Sequence, residues 1–298
     1  MALMNEGDGN SILSPYFDFV RSIVALSKPG VTILNVLATV VGLILANGVA
    51  TFNVTILIIV GTTLVVASAG ASNMIYERES DAKMKRTSKR PLPAGKLSLQ
   101  TAYIYTVLSG GIGLVLLYRV SIWSALFGFI GWILYVGVYT PMKSKTPLSL
   151  YTGAIAGAMT PLIGYSALSN LDGVAYWLVA LLFFWQLPHV LAIAIFREED
   201  YHRAGIQFYS GLKARNLLII TLLLFAVTPW FLPLIHQVGL TYLISMPFLS
   251  VMIGWSLPAL IRNRENLEES TKISRQIFFQ TLLHLPVVFC VLVVDFWA

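Results

Sequence analysis

Nine runs of apolar residues, each close to the roughly twenty that a helix needs to cross a bilayer, recur at 28–48, 53–75, 101–118, 121–140, 148–168, 174–196, 216–235, 240–261 and 276–297. Short polar segments separate them. The pattern predicts an all-α, polytopic integral membrane protein with nine transmembrane helices. Connections on one side are brief, among them "NGVATFN", "SNLDG" and "HQVGL", so no ectodomain is expected. Two longer polar segments, 76–100 and 197–215, lie on the other side, each after an even-numbered span.

Charge placement supports this count. The chain is 298 residues long, 57% hydrophobic and 11% charged, against about 25% charged residues in soluble domains. Of its twenty Lys and Arg, all but Arg119 fall on one side of a nine-span arrangement. Basic loops stay cytoplasmic, so the N-terminus is expected inside and the C-terminus on the opposite side, with residues 1–298 forming a single domain. The net charge of +6 is then a topology signal rather than a nucleic-acid footprint. The start, "MALMNEGDGNSILSPYFDFVR", is acidic and has neither an Arg-rich transit pattern nor a small-residue cleavage site, so no removed leader is expected. A lone Cys290 excludes a disulfide framework and a cysteine metal site.

The segment "NMIYERESDAKMKRTSKRPLPAGKLS", residues 73–98, concentrates charge of both signs. Asn73, Glu77 and Asp81 are spaced i, i+4, i+8. On a helix continuing out of the second span their oxygens form one column about 12 Å long. A carbonyl and two carboxylates are hard oxygen ligands of the kind Mg²⁺ takes when it bridges to substrate phosphates. The same acids would also serve as ordinary partners of Arg78, Lys83 and Lys85 on a solvated helix end. The metal reading gains from the basic run directly after the acids, Lys83, Lys85, Arg86, Lys89 and Arg90, and from the rigid turn "PLPAG" that ends it. Acids for a metal beside bases for phosphate oxygens would hold a metal–diphosphate complex.

A second cluster, "FFWQLPHVLAIAIFREEDYHRAGI", closes the sixth span with Glu198, Glu199 and Asp200 between Arg197 and Arg203. Two acidic helix ends could clamp one diphosphate through two metals. Eleven residues before Asp200 stands His189, expected on the same helix face and about 16 Å deeper, beside Gln186 and Pro188. An intramembrane imidazole either faces a cavity or bonds to a neighbouring helix. His284, Gln280 and Asn35 lack a flanking cluster and read as structural. A diphosphate site over an apolar chamber suits a polyprenyl diphosphate.

At these residues the chain resembles the UbiA superfamily of intramembrane prenyltransferases. "LSKPGVTILNVLATVVG" is similar to the family's entry into its first helix. "NMIYERESDAKMKRTSKRPLPAG" resembles the first Asp-rich motif of the branch that prenylates haem rather than benzoates, quinones or chlorophyllides. "YTPMKSKTPLSLYTGAIAGAMTPLIGYSAL" and the Trp-Gln-x-Pro-His segment look like its middle regions. Two departures stand out: Glu77 occupies a position that is usually Asp, and the second motif is contiguous instead of spaced.

The resemblance implies a UbiA-type helical bundle with a central cavity that transfers a farnesyl group from farnesyl diphosphate to a vinyl group of haem B. It implies Mg²⁺ held by Asn73, Glu77, Asp81, Glu199 and Asp200, with diphosphate contacts from Arg86, Arg90 and Lys143. His189 and Gln186 would meet haem, a substrate here and not a fixed cofactor. The expected setting is a prokaryotic plasma membrane with the active site facing the cytoplasm, and a haem A synthase as a possible partner. Two alternatives remain at this point: a relative acting on an aromatic acceptor such as 4-hydroxybenzoate or naphthoate, and a secondary transporter.

Overall fold

The structure is a computed structural model describing the backbone of residues 9–46 and 48–297, with side chains described over 16–46 and 48–296. The acidic start at 1–8 lies outside the described residues. Among those described, all regular structure is helical. In order it comprises α1 (Gly9–Leu26), α2 (Pro29–Ile44), α3 (Phe52–Tyr76), α4 (Arg78–Ala82), α5 (Leu99–Tyr118) and α6 (Ile122–Ile133). A π-helical segment, Leu134–Tyr139, leads into α7 (Thr140–Met142). There follow α8 (Ser149–Ala158), α9 (Thr160–Tyr165), α10 (Gly173–Phe196), α11 (Glu198–Arg203) and α12 (Gly211–Val227). A 3₁₀ turn, Thr228–Phe231, precedes α13 (Leu232–Ile235), α14 (Leu240–Gly254), α15 (Leu257–Arg262) and α16 (Leu267–Trp297).

The chain is a multi-span membrane protein, although the expected nine spans are not all matched by single long helices. Among the described residues seven helices are long and apolar enough to cross a bilayer, and an eighth crossing arises if α1 and α2, bent by 51° at Ser27–Lys28, act as one. The expected span at 148–168 is instead two short helices of 10 and 6 residues. The cause is local. Pro161 lacks the N–H that would continue the ladder, and Thr160 Oγ1 turns back to donate to Gly157 O (2.9 Å). At the last span the helix starts at Leu267, earlier than the apolar pattern shows, because its first turns are polar.

Side-chain caps set several starts. Ser98 Oγ accepts from Thr101 N (3.0 Å) at α5, and Ser121 Oγ accepts from Trp123 N (3.2 Å) at α6. Asp172 takes Val174 N and Ala175 N at α10 while also accepting from Tyr165 OH (2.8 Å). The main core runs along α10, where Leu178, Leu181 and Leu191 are fully buried against neighbours on α8, α12 and α16. Without a hydrophobic drive between helices in lipid, close backbone approach carries packing. α2 and α9 cross this way: a methyl on Gly42 or Gly164 would overlap the carbonyl oxygen of Pro161 or Thr39. Large apolar side chains such as Val107, Val115, Phe248 and Val251 remain exposed on the bundle's outside, as lipid contact requires.

Candidate active site

The polar column predicted at the end of the second span forms. Two hydrogen bonds span the junction of α3 and α4 at Glu77, from Glu77 N to Asn73 O (2.9 Å) and from Asp81 N to Glu77 O (2.7 Å). Asn73, Glu77 and Asp81 are all buried. Their partners are not the neighbours Arg78, Lys83 and Lys85. Glu77 pairs with Lys143 across the bundle (2.7 Å), and Asp81 pairs with Arg90 (2.6 Å), which the "RPLPAG" turn swings back over the helix end. Thr87 Oγ1 donates to Asp81 O (2.9 Å) and ties that turn down.

Lys28, on sequence a topology charge alone, belongs to this cluster. It caps α2 in the left-handed region (φ 49°, ψ 63°), a rare conformation for a side-chain-bearing residue. Its ammonium donates to Asn73 Oδ1, and its stem lies against Gly70. Asn73 Nδ2 in turn donates to Thr140 Oγ1 (3.0 Å). The π-helical turn sets that contact: Thr140 N and Oγ1 both reach back five residues to Tyr135 O. It also brings Tyr135 and Tyr139 together in the wall below, ring centroids 5.1 Å apart. Such insertions are common at functional sites.

Electrostatically the cluster is a mutual neutralisation of buried acids and bases. Burial alone would raise the Glu77 carboxyl, but Lys143 and Lys28 outweigh it and hold it below its ordinary value. Burial likewise works to depress Lys143, while Tyr139 and Glu77 push it above its ordinary value, so it stays a cation. Among the described residues Arg90 and Lys143 pair with Asp81 and Glu77 and Lys28 with Asn73, three basic side chains that a phosphate could engage.

The second cluster is only partly as expected. α10 ends at Phe196 and α11 starts at Glu198, with Arg197 (φ −118°, ψ 21°) between them, so His189 and Asp200 stand on two helices rather than one. Asp200 is buried and bonded to Arg203 and, at 3.8 Å, to Arg197. Glu199 is exposed, with no ion pair among the described residues, and Glu198 faces His202 (3.9 Å). Arg86 is exposed too. Tyr201 shares a small pocket with Tyr139 and Lys143, and Gln207 N donates to Lys143 O (2.7 Å), so this segment docks on the first cluster.

Below the charges lies a cavity of about 520 Å³, within the range of small-molecule sites. Lys28, Tyr135 and Tyr139 are at its charged end. Gln186, His189 and Asn35 are polar groups in otherwise apolar walls. Asn35, expected to be structural, therefore faces the chamber. His284 and Gln280 do not: His284 is buried against Phe225, and Gln280 accepts from Ser256 Oγ (2.9 Å). His189 is stacked on Trp185 (4.9 Å, 20°), and its Nδ1 lies 2.9 Å from Thr281 Oγ1. Gln186 Nε2 donates to Ala154 O (3.3 Å), pressed against Gly157, where a Cβ would collide with the amide.

Does the donor set suit a divalent cation? Among the described residues no group of three or more His, Cys, Asp or Glu converges on one point. A hydrated Mg²⁺ shared with phosphates needs only one or two carboxylates per ion. Asp81 Oδ1 is buried without a partner, an oxygen for which the fold provides no donor. Hard oxygens, each balanced by a base that a phosphate could take over, fit such an ion.

A bent, multi-span bundle with paired acids and bases at the mouth of an apolar cavity is an arrangement suited to an amphipathic anion within a membrane. The model of the UbiA prenyltransferase family matches residues 35–282, and the chain belongs to that family. It is 33% identical to a protoheme IX farnesyltransferase of Bordetella avium (strain 197N), over 97% of this chain and 98% of the relative. It is 38% identical to protoheme IX farnesyltransferase 2 of Pseudomonas putida (strain GB-1), over 75% and 79%. A UbiA homolog from Archaeoglobus fulgidus, solved bound to GPP and Mg²⁺, shares the fold with a TM-score of 0.69 at 15% identity, over 89% and 99% of the two chains. A solved digeranylgeranylglyceryl phosphate synthase gives a TM-score of 0.76 at 17% identity, over 93% and 98%.

Proposed function

We propose that the protein transfers the farnesyl group of farnesyl diphosphate to a vinyl group of haem B, with addition of water, giving haem O for haem A and terminal oxidase biogenesis. The observation that carries the reading is the buried Glu77–Lys143 and Asp81–Arg90 cluster at the mouth of an apolar cavity whose wall presents His189. The names of relatives that align along nearly the whole chain support the choice of haem as acceptor.

Diphosphate oxygens take over Lys143, Arg90 and Lys28, while Arg86 contributes from the exposed rim. This frees Asn73, Glu77 and Asp81, which with Asp200 would hold Mg²⁺, Glu199 being the outermost of the proposed ligands. When bound, the ion offsets the charge of the departing diphosphate. The C1–O bond breaks and leaves an allylic cation. Tyr135 and Tyr139 offer it their ring faces, and the apolar walls exclude the water that would quench it. The haem vinyl donates its π electrons to C1. Water then adds to the new carbocation beside the pyrrole and loses a proton, completing the hydroxyethyl group.

His189 orients the acceptor. Thr281 Oγ1 donates its only proton to a main-chain carbonyl, Ile277 O (2.9 Å) or Phe278 O (2.8 Å). With its proton on one of those carbonyls the hydroxyl accepts from His189, which would place the imidazole proton on Nδ1 and leave the Nε2 lone pair for iron. Gln186 lies one turn away for a propionate. The basic helix ends at 78–96, 143–145 and 197–215 support a cytoplasmic active site in a prokaryotic plasma membrane, with the product passed to a haem A synthase.

Purified protein supplied with farnesyl diphosphate and both haem B and 4-hydroxybenzoate tests the reading. Haem is expected to be farnesylated. Farnesylation of the benzoate alone would assign an aromatic acceptor, and absence of any diphosphate release would favour transport.

A further inference from the structure

Behind the central cavity lies a second hollow of about 540 Å³ between α3, α5 and α6, open toward lipid where Tyr103 and Val107 are exposed. Two residues line both spaces, Trp132 and Val65. Trp132 is the larger, and its ring is anchored: Nε1 donates to Ser68 Oγ (3.1 Å), and that buried hydroxyl donates to Thr106 O (2.8 Å). One side chain on α6 is thus pinned to α3 and, through it, to α5.

Its depth is informative. Trp132 stands eleven residues from Lys143 along its helix, on the order of 16 Å. Val65 stands twelve residues from Glu77 along α3, on the order of 18 Å. An extended chain advances about 1.2 Å per bond, so the twelve-carbon main chain of a farnesyl group spans about 14 Å. The sixteen-carbon main chain of a geranylgeranyl group, on the same geometry, spans about 19 Å. With its diphosphate at the Glu77–Lys143 pair, a farnesyl tail ends beside Trp132, whereas a fourth isoprene unit would meet the indole.

We propose that Trp132 determines donor length by closing the prenyl channel after three isoprene units and sealing off the second hollow. This rests on the farnesyl transfer proposed above and adds a residue that selects among prenyl diphosphates. Haem, on the His189 side, occupies the opposite wall.

The test compares kcat/KM for farnesyl and geranylgeranyl diphosphate with haem B in wild type, Trp132→Ala, Trp132→Leu and Trp132→Phe. Wild type is expected to favour farnesyl. Trp132→Ala should lower that preference at least tenfold, and Trp132→Phe should keep it, since bulk and not the N–H closes the channel. Gly111 lines the second hollow with nothing within 4 Å of an added Cβ, so Gly111→Leu should be silent alone. In the Trp132→Ala background it should restore the farnesyl preference by refilling the opened space, an effect that a merely structural role for Trp132 would not give. An unchanged preference in folded Trp132→Ala overturns the proposal. Trp132→Leu decides if the alanine variant does not fold. If wild type leaves haem B unmodified, the functional reading fails instead, and diphosphate release from the two donors still reads the length dependence.

Discussion

Replacing Thr281 by valine removes one hydroxyl from the wall behind His189 while conserving shape. In the structure that hydroxyl lies 2.9 Å from Nδ1, and the main-chain carbonyl of the same residue accepts from Trp185 Nε1 (2.7 Å), so Thr281 positions both rings of the stack. Valine keeps the Trp185 contact and removes only the imidazole's partner. A half-buried N–H left unsatisfied costs about 1–3 kcal/mol. The ring escapes that cost by moving the proton to Nε2, which abolishes the lone pair proposed for iron. At about 1.4 kcal/mol per tenfold, haem affinity should fall roughly 5- to 150-fold. The assay is titration of ferric haem B into purified protein, followed through the Soret band, beside the KM for farnesyl diphosphate. Thr281→Val should weaken haem binding and alter the band while leaving the diphosphate KM near wild type, and Thr281→Ser should restore both haem readings. Identical haem spectra and affinities in Thr281→Val and wild type would refute the tautomer argument. Equal losses of haem and diphosphate binding would make the contact purely structural.

Asn73→Ala and Asp81→Ala should each abolish turnover while the protein still inserts and purifies; activity retained in both would remove them from the metal site. Glu77→Asp shortens the carboxylate by one methylene and so stretches the 2.7 Å pair with Lys143. A charge-assisted hydrogen bond is worth about 1.5–3 kcal/mol, so kcat/KM should drop by roughly 10- to 150-fold, and wild-type rates would show that reach at this position is not used. Because the Glu77 carboxyl sits below its ordinary value of 4.5, its contribution to stability is complete above that pH and is lost as pH falls through the lowered value. Glu77→Gln should accordingly flatten the acid limb of a Tm–pH profile, and an unchanged limb would contradict the pairing. Gly157→Ala, whose methyl meets the Gln186 amide, should impair haem engagement more than farnesyl diphosphate binding, read as the ratio of the two KM values.

Apolar periodicity placed most of the long helices because a lipid-facing span must be apolar around much of its circumference, a signal that survives without knowledge of neighbours. It overran at 148–168, where Pro161 and the Thr160 hydroxyl divide an otherwise apolar stretch. The column of Asn73, Glu77 and Asp81 was legible because i, i+4 spacing fixes a helix face whatever surrounds it. Their partners were not, since Lys143 and Arg90 arrive by tertiary packing and by the turn after residue 90. Lys28 was hidden for a related reason: a lysine beside a proline at a span's edge looks like a topology charge until its left-handed backbone turns the ammonium inward. Tyr135 and Tyr139 depended on a π-helical turn that no hydrophobic period announces. His189 and Asp200, counted along one helix, stand on two consecutive ones, because the backbone at Arg197 departs from helical angles.

The central claim is that farnesyl and water add to one haem vinyl group at this site. It is tested most directly by mass spectrometry of the product formed from haem B and farnesyl diphosphate in ¹⁸O-labelled water, with and without Mg²⁺. Haem carrying one farnesyl group and one labelled oxygen, formed only with Mg²⁺, is the predicted result. Unmodified haem under conditions where diphosphate is released, or a farnesylated haem with no labelled oxygen, would contradict it.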